Sequence, residues 1–192
     1  MDARHIAWIG STPMTRDIHE RAEPMTGLLG AFPAGLPEFL AANDGAEGHV
    51  GKSFLALWPI AQIGEWNGFL ETAAFAPNLT VFATDGGEEA YAVSRASDQP
   101  RIVNVPLVGL GHVDAKDIAG DLAGFLQWLG GSAIDPLPAD SAIRGKVIWR
   151  VQPIMFGGDP TDQSNIRFVD AIDACKMAAW FNHRLRDVGG SA

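Results

Sequence analysis

A single cysteine, Cys175, stands among 192 residues, so no internal disulfide can form and no second thiol or adjacent histidine completes a metal set around it. A reducing compartment is the simpler expectation. Basic charge is scarce: Lys and Arg number 14 against 23 Asp and Glu, a formal net charge of -9. The cations are scattered along the chain, and such a surface repels a phosphate backbone, so nucleic-acid binding is not expected. Long apolar runs are missing too. No stretch approaches the roughly 18 apolar residues a membrane span needs, and the opening MDARHIAWIGSTP lacks the apolar core of a signal peptide. The expectation is a soluble cytoplasmic protein with no membrane contact. Charged residues make up only 19% of the chain against 47% hydrophobic, and six tryptophans argue against disorder. One domain with a proper core plus an extension fits the length.

What is present is organised around Pro77–Val93, PNLTVFATDGGEEAYAV. Leu79–Ala83 is a β-prone run, Asp85-Gly86-Gly87 supplies the positive-φ positions of a tight reversal, and Ala90–Val93 is the return strand. Arg101–Leu107 adds a third strand, with Pro106 at its end, and completes an antiparallel meander. Upstream, Thr15–Ala22 has room for two helical turns between Pro13 and Pro24, and Leu28, Leu29 and Phe32 are core contributors. A helix over Glu38–Asn43 ends in Asn43-Asp44-Gly45, with Gly45 at the left-handed position. Gly48–Gly51 reads as a loop, Phe54–Trp58 as a buried strand, and Ile60–Trp66 as a helix behind Pro59, with helical continuation over Glu71–Ala76.

Downstream, Asp114 is the expected N-cap of a helix whose apolar stripe is Ile118, Leu122, Phe125, Leu126 and Leu129, ended by Gly130-Gly131. Ser132–Gly145 reads as a linker, Lys146–Phe156 as strand-like, and Gly157–Asn165 as a turn-rich loop. Val169–Val188 reads as a last helix docking back on the domain.

The order of these elements is informative. A helix ending in N-D-G, a strand leading into I-A-Q-I-x-E-W-N, then F-A-T-D-G-G-E-E-A-Y-A-V resembles the SUKH superfamily over residues 28–129. That family holds yeast cell-wall assembly regulators and bacterial toxin-immunity proteins. The expected fold is α+β: a twisted antiparallel sheet with helices packed on one side in residues 1–131, and a C-terminal strand–helix extension over 146–192 completing the core. The resemblance implies a non-enzymatic protein-binding module, an immunity protein that neutralises a cognate toxin by occluding its active site. The acidic charge suits a basic toxin such as a nuclease. A cytoplasmic regulatory scaffold, as in the yeast branch, is the alternative, and the lack of long low-complexity tails counts against it.

Candidate chemistry is sparse. Asp85, Glu88 and Glu89 crowd the hairpin turn and could meet a basic partner, whereas a calcium site would want six or more oxygens at defined spacing. The histidines at 5, 19, 49, 112 and 183 show no ligand spacing. There is no G-x-S-x-G, and Ser53 lacks the glycine framework of a phosphate-binding loop. Gly157-Gly158 followed by Asn165 resembles the core of HNH endonucleases, but Arg150, Val151 and Gln152 stand where a general-base histidine belongs and His183 comes too late. Phosphodiester hydrolysis then has no mechanism. Asp159 and Asn165 are instead expected to pin the loop, and Cys175 to be a small core residue. No catalytic residue, cofactor or metal is expected. Trp128 and Trp180 lie off the apolar stripes of their helices, which makes them candidate partner anchors.

Overall fold

The computed structural model of the chain describes residues 32–131 and 145–189, together with the two-residue strand β1 (Ala7–Trp8). The helix expected over Thr15–Ala22, the core role of Leu28 and Leu29, and the linker up to residue 144 lie outside the described residues.

Helix α1 (Leu36–Ala42) has Pro37 in its first turn and stops at Asn43, whose Nδ2 donates back to Phe39 O at 2.8 Å. Gly45 follows at φ 68, as the N-D-G break predicts. The chain then forms β2 (Glu47–Val50) and β3 (Ser53–Leu57), so the expected loop over Gly48–Gly51 is instead largely strand. Gly48 faces inward without a side chain, which erased the alternation that marks a strand. Helix α2 (Ile60–Phe69) follows Pro59. The short α3 (Thr72–Phe75) is separated from it by Glu71, the one non-glycine with positive φ among the described residues, at 56°.

The hairpin is β4 (Leu79–Thr84) and β5 (Glu89–Ser94), flanked by β6 (Arg101–Pro106) and β7 (Lys116–Ala119). Strands β1 to β7 form one sheet in sequence order, every neighbour antiparallel. Strand β7 corrects the expectation of a helix from Asp114. Lys116, Asp117 and Ala119 pair with β6, and Arg101 clamps Asp117 at 2.8 Å, so Ile118 belongs to the sheet. The helix α4 (Leu122–Gly131) begins only after Gly120, where Asp121 Oδ1 accepts from Gly124 N at 2.8 Å. In the extension, β8 (Lys146–Arg150) stops before Pro153 and pairs with β9 (Ile166–Asp170). Val169 is therefore in a strand, and the last helix α5 runs Ala171–Gly189.

The class is α+β, with helices packed against the sheet. Tyr91 and Val93 point to one face of β5 and Ala90 and Ala92 to the other, yet all four are 0% exposed. On the first face Tyr91 meets Phe125 at 5.2 Å and Trp128 at 6.1 Å, both on α4. The alanine face is therefore covered as well, and Val147, Trp149, Ala174 and Ala178 of the extension belong to the same buried cluster. Asn182 of α5 accepts from Gly109 N at 2.6 Å and donates to Leu107 O at 3.0 Å, which ties the extension to the chain just after β6. Strand β3 pairs with β4 only at Ala83 and Thr84, and Asn67 of α2 takes up both backbone groups of Val81 beyond it, at 2.7 and 2.9 Å.

Candidate functional site

The hairpin turn brings Asp85, Glu88 and Glu89 together and engages each of them internally. Asp85 Oδ1 accepts from Gly87 N at 2.8 Å and Glu89 N at 3.2 Å, so the turn is closed by its own first residue. Burial pushes the Asp85 carboxyl up to about 6. Glu88 Oε2 accepts from Arg150 Nη1 on β8 at 3.0 Å; burial pushes its carboxyl up, and Arg150 pulls it down. Glu89 Oε2 accepts from Asn104 Nδ2 at 2.9 Å. Ile148 N donates to Gly86 O at 2.8 Å, so the turn is the lock between the meander and the extension. Among the described residues no group of three His, Cys, Asp or Glu side chains is arranged to hold a metal ion.

The other sequence candidates separate cleanly. Trp128 is half-buried, edge-on to Tyr91, with the Lys116 ammonium 5.5 Å over its ring. Trp180 is 53% exposed on the outer face of α5, with the Arg184 guanidinium 4.9 Å over it. Cys175 is buried, and burial pushes its thiol up to about 12, which removes it as a nucleophile. Ser53 is buried and donates to Leu129 O at 2.7 Å, a tie between β3 and the end of α4. His183 Nε2 meets Glu71 Oε2 at 2.8 Å and its ring lies edge-on to Phe75.

One surface was missed in the sequence. Val113, Val151, Ile154 and Met155 are 44%, 55%, 48% and 44% exposed. A methyl group on Gly109 (φ 107) would collide with Met155 Sδ and touch Val113 Cγ2, so these two side chains close together over that glycine. The segment that presents Ile154 and Met155 is fixed at both ends. Asn165 Oδ1 accepts from Gln152 N at 2.8 Å, Asn165 Nδ2 donates to Gln152 O at 2.9 Å, and Gln152 Nε2 donates to Phe156 O at 2.7 Å. Gly158 N donates to Pro153 O at 3.1 Å, closing the turn. Asp114, Asp159 and Asp162 are exposed on the same two segments. Hydrogen bonds from the Thr161 hydroxyl and N–H hold the Asp159 carboxyl below the ordinary value, so it stays charged. The patch joins residues some forty positions apart with no periodicity, and only the expected pinning by Asn165 and Asp159 pointed toward it.

No protein-family model matches the chain, and no curated protein matches it. No helix among the described residues is long and apolar enough to cross a membrane. Exposed apolar side chains on a loop held by its own hydrogen bonds can meet another protein at low entropic cost.

Proposed function

We propose that the chain is a non-enzymatic protein-binding module of the SUKH type, an immunity protein that neutralises a cognate toxin by covering its active site. The observation that carries this is the exposed pair Val113 and Met155, which close together over Gly109, with Ile154 and Val151 exposed on or next to the hydrogen-bonded loop that presents Met155. Exposed large apolar side chains on a rigid loop favour a contact surface, because their burial against a partner is gained without the cost of ordering the loop. The exposed Asp114, Asp159 and Asp162 on the same two segments, in a chain of net charge -9, suit a basic partner such as a nuclease toxin, where complementary charge speeds encounter. Trp128 and the hairpin carboxylates take no part, since they are engaged within the fold.

The test is capture from the native host with wild-type protein and with Ile154→Asp, followed by expression of the captured protein alone and together with each form. The expected result is one protein that arrests growth when expressed alone. Wild type should relieve the arrest, and Ile154→Asp should not. Capture of several non-toxic regulators would overturn the reading in favour of a scaffold.

A further inference from the structure

Glu71 takes a left-handed backbone, φ 56 and ψ 37, at the corner between α2 and α3, a conformation that is strained for a residue with a Cβ. Its side chain ties that corner to α5, where His183 Nε2 meets Glu71 Oε2 at 2.8 Å. The other ring nitrogen is engaged as well: Arg186 Nη2 lies 2.7 Å from His183 Nδ1. Phe75 of α3 closes the group. His183 stands edge-on to its ring at 4.9 Å, and the Arg186 guanidinium lies 5.1 Å over the same ring.

The two hydrogen bonds together fix the proton on the imidazole. A guanidinium has donors and no acceptor, so Nδ1 carries the lone pair; an ionised carboxylate only accepts, so Nε2 carries the proton. His183 is therefore held as the neutral Nε2–H tautomer, and the one place open to a second proton is the lone pair that Arg186 uses. A proton there acts oppositely on the two partners. Glu71 gains an ion pair with the imidazolium, whereas Arg186 loses its acceptor and faces a like charge. The other titratable groups near the ring are Lys176, which lines one concavity with Glu71 and His183, Asp187 one turn further along α5, and His112, whose Nε2 meets Asn182 O at 3.3 Å.

We propose that Glu71, His183 and Arg186 form a proton-operated clasp: uptake of a proton at Nδ1 of His183 releases Arg186 from the imidazole and from its seat over Phe75, while Glu71 stays bound and keeps the α2–α3 corner tied to α5. The clasp shares no residue with the apolar patch, so its test does not depend on toxin neutralisation.

Long-range proton–nitrogen NMR of the histidine rings in the full chain, followed from about pH 8 to about pH 5 and assigned with His183→Gln, measures this directly. At the alkaline end His183 is expected as the Nε2–H tautomer. The side-chain N–H signals of Arg186 should change in step with proton uptake at Nδ1. Replacing each partner separates the two halves of the clasp by sign. Glu71→Gln removes the anion and should weaken proton binding at His183 by about threefold or more, whereas Arg186→Leu removes the cation and its hydrogen bond and should strengthen it by a similar factor. An Nδ1–H tautomer at high pH would overturn the proposal. So would Arg186 signals that stay still while His183 titrates, or shifts of the same sign in the two variants.

Discussion

Burial holds the Asp85 carboxyl at about 6, above its ordinary value of 3.8, although two backbone N–H groups donate to it. In the unfolded chain the proton leaves near pH 4, whereas the native protein keeps it to about 6, so within that window the native state binds more protons. Stability from this group therefore falls as pH rises from about 4 to about 6, by up to about 3 kcal/mol, and is constant above. Asp85→Asn preserves an oxygen acceptor and removes the titration. Urea unfolding across this range should show the variant gaining on wild type as pH rises; a difference that stays constant from pH 4 to 6.5 would reject the assignment. Cys175 gives a second check at this scale. With its thiol buried and pushed up to about 12, an aromatic disulfide reagent should label the native protein on the order of a hundredfold more slowly than the protein in denaturant.

The loop between β8 and β9 behaves as an element in its own right because one side chain spans it. Asn165→Ala removes two hydrogen bonds to Gln152 and should cost about 1–2 kcal/mol. Exchange of the Gln152 amide, followed by NMR, should quicken while the β4 and β5 amides stay protected; unchanged exchange at Gln152 would show that the turn is held by other bonds. That pinning was legible in the sequence, since Asn and Asp beside Gly-Gly read directly as side-chain-to-backbone ties. So was the hairpin, where β-branched and aromatic runs flank Asp85-Gly86-Gly87 and each strand end lies within one or two residues of expectation. Four strands were not: the two-residue β1, and three others. Strands β2, β7 and β9 are four or five residues long, and each is specified by its pairing partner more than by its own pattern. Ile118 has the spacing to join the stripe of α4, and only the β6 ladder, with Arg101 on Asp117, decides for the sheet. The binding surfaces were the least legible: of the candidates named from sequence, only Trp180 is exposed, because side chains that look free along the chain are used by elements distant in sequence, Glu88 by Arg150 and Trp128 by Tyr91.

At the scale of the whole molecule, the extension is part of the core. The buried cluster that holds Ala90 and Ala92 of β5 also holds Val147, Trp149, Ala174 and Ala178. A chain ending at residue 131 would lose those four residues from the core, leave Glu88 without Arg150, and strip Gly109 N and Leu107 O of the side chain that serves both. Such a truncation should lose near-UV circular dichroism and bind a hydrophobic dye, the behaviour of a collapsed chain without fixed packing. A milder variant isolates the cause. Asn182→Ala keeps every apolar contact of α5 but leaves a buried donor and a buried acceptor unpaired, so it should cost about 2–4 kcal/mol in a transition that remains cooperative. If instead the truncated chain unfolded cooperatively with native-like side-chain signals, the meander and α4 would be a domain by themselves. The extension would then be an appendage that the hairpin turn merely tethers through Gly86 and Glu88.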